Sequence, residues 1–310
     1  MTRRELLALA AGPLVFAEPR GRLRGIFPIA QTPFNEAGKL DLEALAAEVR
    51  FVHRCGAHGF VWPQMASEYS LLTEAERMAG NEAIAASAKG LKPAVVIGVQ
   101  APEVATACRY AKQAEKLGAD AVIALPPHDS KDRGAVFEYY KAIGAASGLP
   151  LFIQAVGDMP VPFILEMAAK IPTLRCVKDE AGATPLPRIA GLREKLLVFT
   201  GGHGVTLIDE MLRGSSGSMP AASFVDLYAR AWDAWQAGER ARAVDLCSKA
   251  IVFVPEVQVF GIQALKYVLF LRGVFPAYGV RAKDARAPLD DSAKQTLRLM
   301  YETLKPHLAL

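Results

Sequence analysis

Residues 94–125 read AVVIGVQAPEVATACRYAKQAEKLGADAVIAL. The two ends, Ala94–Val99 and Ala121–Leu125, are short runs of apolar residues, many of them β-branched. Between them, Glu103–Leu117 places apolar residues at three- and four-residue spacing, which predicts a helix between two strands. Gly118 follows that helix, where a left-handed glycine cap is favoured. Because both strands are apolar on both faces, the unit is typical of a parallel sheet that is buried on both sides.

The same unit repeats along the chain, with further helical patterns at Leu42–Arg54, Glu74–Ala88 and Val136–Ala146. The strand-like runs are Gly25–Ala30, Gly59–Trp62, Ala94–Val99, Ala121–Leu125, Leu151–Gln154, Leu174–Lys178, Leu196–Thr200 and Ser215–Met219. Eight repeats within about two hundred residues predict an α/β fold, a closed (β/α)8 TIM barrel. A doubly wound open sheet is the alternative. The absence of a Gly-x-Gly-x-x-Gly turn after the first strand disfavours it.

The length and composition of the chain are typical of one large globular domain. The chain has 310 residues, of which 52% are hydrophobic and 22% charged, and α/β barrels of about 250 residues form single domains. The net charge is +4 with both signs interspersed, which gives no indication of nucleic-acid binding. The four cysteines are isolated, without a Cys-x-x-Cys pair or a Cys/His cluster at metal-ligand spacing. They are predicted to be buried thiols, and no metal site is expected.

The two ends of the chain differ from the repeating part. Arg3 and Arg4 precede an apolar stretch from Leu6 to Phe16, so that residues 1–17 resemble a twin-arginine export signal. An amphipathic N-terminal helix is the alternative. The protein is therefore expected to be cytoplasmic or, if this segment is functional, periplasmic or otherwise exported. No stretch is long enough to span a membrane.

The strand-like runs stop before residue 222, which divides the chain into a barrel at 21–222 and a helical extension at 223–310. Phe224–Ala237, Arg240–Val254 and Phe260–Leu271 are predicted to be the helices of that extension. Their apolar faces serve either packing or an oligomer contact, and the sequence does not choose between the two.

In a barrel of this type, active groups lie at the carboxyl ends of the strands and in the loops just after them. Candidates at those positions are Thr32, the loop 63–68, His128, Gln154, Lys178, His203 and Ser218. Lys178 ends the apolar run that starts at Leu174, and burial there favours the neutral amine, the nucleophile that attacks a ketone. The alternative is a lysine that forms an ion pair with Asp179, Glu180 or another carboxylate at the rim.

Several segments resemble the dihydrodipicolinate synthase / N-acetylneuraminate lyase family in order and spacing, from about residue 24 to 306. They are Gly25-Ile26-Phe27-Pro28 with Thr32-Pro33-Phe34, Gly38-Lys39-Leu40-Asp41, Glu68 with Leu71-Leu72-Thr73-Glu74 and Glu76-Arg77, Val177-Lys178-Asp179-Glu180, and Arg286 with Pro288-Leu289. The resemblance implies a class I lyase or aldolase that acts on pyruvate or a related 2-oxo acid. It also implies a Schiff base on Lys178, no metal or organic cofactor, and a homo-oligomer, dimer or tetramer.

The chain departs from the family's pattern at four places. The family's Gly-Thr-Thr-Gly-Glu loop reads Gln64-Met65-Ala66-Ser67-Glu68, which loses both threonine hydroxyls, although backbone N–H groups still offer a carboxylate site. The proton-carrying tyrosine of the fifth strand is replaced by Gln154, whose amide is no general acid or base near neutral pH. The family's arginine falls at about Met159, and its tyrosine pair after the fourth strand becomes Pro127-His128. These losses argue against authentic dihydrodipicolinate synthase activity.

Two histidines are candidates for the missing proton carrier. His128 follows the fourth strand and titrates near neutral pH, with an exposed loop histidine as the alternative. His203 lies in a glycine-rich turn, where Gly201 and Gly202 would let the backbone approach a ligand, or where the turn is an ordinary one. Met65, Ala66, Ser67, Gly201, Gly202, His203 and Met219 are the predicted substrate-binding residues. Glu68 is expected to order its loop rather than to react.

The sequence thus predicts a Schiff-base lyase of aldolase or dehydratase type that acts on a small 2-oxo acid, with Lys178 as the nucleophile. Gln154 would position the adduct or a water, and His128 or His203 would carry the proton. The rival hypothesis is a barrel that has lost catalysis and binds a small acid or a partner. A third, weaker possibility is imine-free hydrolase or isomerase chemistry at the histidines.

Overall fold

The structure is a computed structural model that describes residues 22–127, 132–182, 185–281 and 287–309. Within these ranges, eight strands form one parallel sheet in the order β1-β8-β7-β6-β5-β4-β3-β2. They are β1 Gly25–Ile26, β2 Gly59–Trp62, β3 Ala94–Gly98, β4 Ala121–Ala124, β5 Leu151–Ala155, β6 Leu174–Asp179, β7 Leu197–Thr200 and β8 Gly217–Ser218. Parallel bridges from Ile29 to Val61 and to Ala221 complete the ring between the first, second and last strands. The predicted (β/α)8 barrel is confirmed.

The helices of the barrel follow the predicted pattern closely. They are α1 Leu42–Arg54, α2 Glu74–Ala88, α3 Val104–Lys116, α4 Arg133–Ala146, α5 Val161–Lys170, α6 Arg188–Leu192 and α7 Leu207–Leu212. The start of α1 is fixed by Asp41, whose side chain accepts a hydrogen bond from the backbone of Ala44. Thr73 and Glu76 form a reciprocal capping box at the start of α2.

Two apolar layers build the core. Inside the barrel, strands β2 to β7 and the residues that flank β1 and β8 contribute side chains to a layer that includes Phe27, Val61, Phe152, Cys176 and Phe199. The larger layer lies between the strands and the surrounding helices. Since side chains alternate across a strand, the residue two positions after Cys176 also points into the barrel. That residue is Lys178.

The predicted first strand is shortened by Pro28. Residues Gly25–Ala30 were expected to form it, but the regular strand ends at Ile26. Pro28 has no N–H with which to continue the ladder. The chain nevertheless stays bonded to its neighbours, because Ile29 N donates to Pro220 O at 2.7 Å and Val61 N donates to Pro28 O at 3.1 Å.

The extension contains α8 Val225–Gln236, α9 Arg240–Ile251, α10 Val254–Phe260, α11 Ile262–Leu271 and α12 Asp291–Leu304. The single helix predicted for 240–254 is wrong in one respect: it ends at Ile251, and a new helix begins at Val254 with Pro255 in its first turn. Proline removes the N–H that would continue the earlier helix but fits the first turn of the next one. The sequence analysis did not predict α12, which is capped by the side chain of Asp290.

Candidate active site

Lys178 lies at the carboxyl end of β6 with its side chain directed into the mouth of the barrel. Its side chain is 7% exposed, and its Nζ is 2.8 Å from Oε2 of Glu180. The predicted ion pair at the rim is present, with Glu180 as the partner, and the predicted role of Lys178 as a nucleophile stays a prediction.

Glu180 connects three elements of the site. Its Oε2 accepts a hydrogen bond from Gln154 Nε2 at 2.6 Å, and its Oε1 accepts one from the backbone N–H of Gly202 at 3.3 Å. Burial alone raises the pKa of this carboxyl, but the nearby Lys178 ammonium and these hydrogen bonds outweigh burial and hold the pKa below its ordinary value. Glu180 is consequently a carboxylate at neutral pH, with one oxygen against the amine.

Gln154 is the penultimate residue of β5, is paired with Lys178 in the sheet, and is fully buried. Its Nε2 must face Glu180, because a carboxylate only accepts hydrogen bonds. The same nitrogen lies 3.6 Å from Sδ of Met65. Within the described residues, Gln154 Oε1 is buried without a hydrogen-bond partner. A buried acceptor in this state is suited to a donor on a bound molecule.

Gly201, just after β7, gives Glu180 and Lys178 the space that they occupy. A Cβ added at residue 201 would lie 1.7 Å from Oε1 of Glu180 and 3.1 Å from Cε of Lys178. The close approach at Gly201 is thus to two side chains of the protein itself, and the predicted approach of Gly201 and Gly202 to a ligand stays a prediction.

The loop after β2 forms another wall of the mouth. Met65 is 58% exposed, while Ser67 is fully buried, with its hydroxyl donating to Ala30 O at 2.5 Å and accepting from Gln64 N at 3.0 Å. Thr32 donates to the carbonyl of Ser67 at 2.5 Å. The Ser67 hydroxyl is therefore engaged in holding the loop. Any carboxylate site here would use the backbone of Met65 and Ala66.

Glu68 orders this loop, as the sequence analysis expected of it. It adopts a left-handed conformation with φ 54°, and its carboxylate pairs with the fully buried Lys266 of α11. The second carboxylate oxygen accepts a hydrogen bond from Arg281 N at 2.7 Å. The helical extension thereby anchors a wall of the site.

The remaining residues that were predicted for the site are found in other parts of the fold or lie outside the described residues. His203 occupies a helical turn at 202–204 with φ 56°, and its carbonyl accepts a hydrogen bond from the hydroxyl of Tyr228 at 2.6 Å. Met219 is buried in the interior layer of the barrel. His128 lies outside the described residues, as do residues 1–17 and Arg286. Met159 is buried, and its carbonyl accepts a hydrogen bond from Arg188, whose guanidinium also pairs with Asp179 at 2.8 Å.

The sequence analysis considered Glu180 only as an ion-pair partner and missed its contact with Gln154. The period-two alternation that places Lys178 on the inner face also places residue 180 there, so the signal was present. The Glu68–Lys266 pair carried no such signal, because its members are 198 residues apart. In the ranges described, no group of three or more His, Cys, Asp or Glu side chains is arranged to hold a metal ion.

Comparisons with known proteins identify the family of this chain. The model of the dihydrodipicolinate synthetase family matches residues 22–306. The chain belongs to the dihydrodipicolinate synthetase family. It is 28% identical over 229 residues to the L-2-keto-3-deoxyarabonate dehydratase of Azospirillum brasilense, which covers 70% of this chain and 74% of the relative. It is 30% identical over 237 residues to a 4-hydroxy-tetrahydrodipicolinate synthase of Methylobacterium radiotolerans, covering 73% and 77%.

A solved member of the family has the same fold. The crystal structure of dihydrodipicolinate synthase from Rhodopseudomonas palustris superposes with a TM-score of 0.82 at 25% sequence identity, covering 90% of this chain and 97% of that chain. The resemblance stated from the motifs is thus confirmed, and the protein is a dihydrodipicolinate synthase-like lyase. Among the residues described, no helix is long and apolar enough to cross a membrane.

Proposed function

We propose that this dihydrodipicolinate synthetase-family lyase forms a Schiff base between Lys178 and a small 2-oxo acid. The observation that supports this most directly is the Lys178 amine, buried at a barrel strand end and 2.8 Å from a carboxylate. When its proton passes to Glu180, the amine becomes a nucleophile for a ketone carbon. The resulting iminium withdraws electrons from the adjacent carbon, so the chemistry needs no metal or organic cofactor.

The surroundings of Lys178 favour a substrate whose distal end is neutral. The charged group beside Lys178 is the anionic Glu180, and the neutral Gln154 lies on the neighbouring strand with Met65 against its amide. The position expected to hold an arginine is occupied by the buried Met159. A second carboxylate on the substrate would lack the fork-shaped cationic partner that it prefers. A hydroxyl, in contrast, can donate to Gln154 Oε1, which is free to accept. A 2-keto-3-deoxy sugar acid, the type of compound named for the Azospirillum relative, has these features.

The reaction would then be a dehydration or an aldol cleavage next to the imine carbon. Both begin from the same Schiff base and differ in which bond of the substrate breaks. We further propose a homo-oligomer, a dimer or tetramer, as the resemblance implies. That residues 1–17 are an export signal stays a hypothesis.

The test is turnover of a panel of 2-keto-3-deoxy sugar acids and pyruvate, followed by proton NMR so that both dehydration and cleavage products are seen. Lys178→Met fills the same space without the amine and is expected to reduce turnover to background. Lys170→Met, which alters an exposed lysine paired with Glu166 on α5, is the matched control and should keep the wild-type rate. Wild-type turnover by a folded Lys178→Met protein would refute the proposal.

A further inference from the structure

The Schiff-base reaction needs a group that removes a proton from the carbon next to the imine, C3 of the oxo acid. At the end of β5, where the family's tyrosine stands, this chain has an amide, which does not exchange protons near neutral pH. Glu180 is the titratable side chain that the structure places against both Lys178 and Gln154. We propose that the Glu180 carboxylate is the base and acid that removes and returns the C3 proton of the Lys178-bound substrate. This rests on the proposed function and adds a catalytic residue to it.

The distances support this role. C3 is two bonds from Nζ in the imine, and Glu180 Oε2 lies 2.8 Å from Nζ. A general base must come within about 2.6–3.2 Å of the atom from which it takes a proton, directly or through one water. An oxygen this close to Nζ can reach C3 when the imine is oriented with C3 on the side of Glu180.

Two hydrogen bonds also hold the carboxylate in place. Gln154 donates to Oε2 at 2.6 Å and Gly202 N donates to Oε1 at 3.3 Å. The absence of a side chain at Gly201 leaves the space that the carboxylate occupies. The side chain of Glu180 is 26% exposed, so protons can still exchange with solvent. The lowered pKa keeps Glu180 ionised, which is the form that accepts a proton.

The proton balance closes with Glu180 alone. The Lys178 ammonium first gives a proton to Glu180, and the neutral amine adds to the C2 carbonyl. One N–H proton then passes from nitrogen to the former carbonyl oxygen, which gives a carbinolamine. Glu180 returns that proton to the leaving hydroxyl, which departs as water and leaves an iminium. The carboxylate then takes a proton from C3, and the C–H electron pair forms the enamine. In a dehydration, the same proton leaves with the C4 hydroxyl as a second water. With pyruvate, it returns to C3.

Deuterium exchange into pyruvate isolates the C3 step. In heavy water the wild-type protein should exchange the methyl protons of pyruvate, which proton NMR follows directly. Glu180→Gln should exchange at least about 10²-fold more slowly per Lys178 adduct, since general acid–base groups contribute about 10²–10⁴-fold. Glu166→Gln, at an exposed glutamate of α5, is the charge-matched control and should exchange at the wild-type rate.

Borohydride trapping with pyruvate, read by peptide mass spectrometry, separates the two proposals. No adduct in the wild-type protein would overturn the proposed function itself. An adduct in both proteins, with exchange in Glu180→Gln within about threefold of wild type, would overturn the role of Glu180 while the Schiff base stands. If Glu180→Gln forms no adduct, the role of Glu180 is tested with the variant Glu180→Asp instead. This shorter carboxylate should form the adduct and exchange at least tenfold more slowly per adduct, and wild-type exchange per adduct would contradict the role of Glu180.

Discussion

The substitution Gly201→Ala separates the geometry of the site from the stability of the fold. A Cβ at residue 201 would lie 1.7 Å from Glu180 Oε1, whereas real Cβ atoms essentially never approach closer than 3.0 Å. The carboxylate oxygen must therefore move by about 1.3 Å or more. It lies at the flexible end of a side chain that is 26% exposed, so we expect it to turn towards solvent with little loss of stability.

The loss should appear in the reaction instead. A displacement of this size breaks or lengthens the 2.6 Å contact with Gln154 and the 2.8 Å contact with Lys178. A misplacement of about 1 Å can cost about 10²-fold in rate, and we expect pyruvate exchange to fall by about that factor. Proton NMR in heavy water gives the rate, and a thermal melt gives the stability.

A matched control is available in Gly279→Ala, because no atom of the described part of the chain lies within 4 Å of a Cβ added at residue 279. That variant should keep the wild-type rate and melting temperature. Wild-type exchange in folded Gly201→Ala would refute the reasoning, since it would show that Glu180 need not occupy its observed position.

Two further predictions concern the anchoring of the loop after β2. Lys266→Met removes the cation buried against Glu68 and should cost about 3–5 kcal/mol, or roughly 5–8 °C in melting temperature for a chain of this length, whereas Lys170→Met, at an exposed lysine, should change it by about 1 °C or less. An unchanged melting temperature would show that the buried pair contributes nothing. The second concerns Glu76, where the hydrogen bond from Arg281 lowers the pKa from 4.5 to about 2. A lowered carboxyl pKa stabilises the fold above pH 4.5, and this contribution is lost as pH falls from 4.5 towards 2. Melts across that window should show a smaller pH dependence for Glu76→Gln than for wild type, and equal dependence would contradict the assignment.

Most of the barrel could be predicted because its signals are local. Helices α1 and α2 begin and end where the apolar spacing predicted, since capping residues such as Asp41 and Thr73 mark their starts. The wrong element bounds occur where a proline lies within a run that the sequence pattern predicted to be one continuous strand or helix. Pro28 shortens β1 although the chain remains bonded in the ring, and Pro255 divides a predicted helix in two.

The site could be predicted only in part. The strand-end position and the family resemblance identified Lys178, and Gln154 lies beside it as expected. The alternation along β6 indicated that Glu180 faces inward, but its contact with Gln154 was missed because that contact also requires the space left by Gly201, which follows β7. The pairing of Glu68 with Lys266 joins distant parts of the chain, and no local pattern announces it.

The central claim is that Lys178 forms an imine with a 2-oxo acid. Incubation of the purified protein with pyruvate, reduction with borohydride and peptide mass spectrometry test it most directly, with Lys178→Met as the control. We expect a reduced pyruvate adduct on the peptide that contains Lys178 and none in the variant. A folded wild-type protein that gives no adduct with pyruvate or any other 2-oxo acid, or an adduct that forms equally in Lys178→Met, would contradict it.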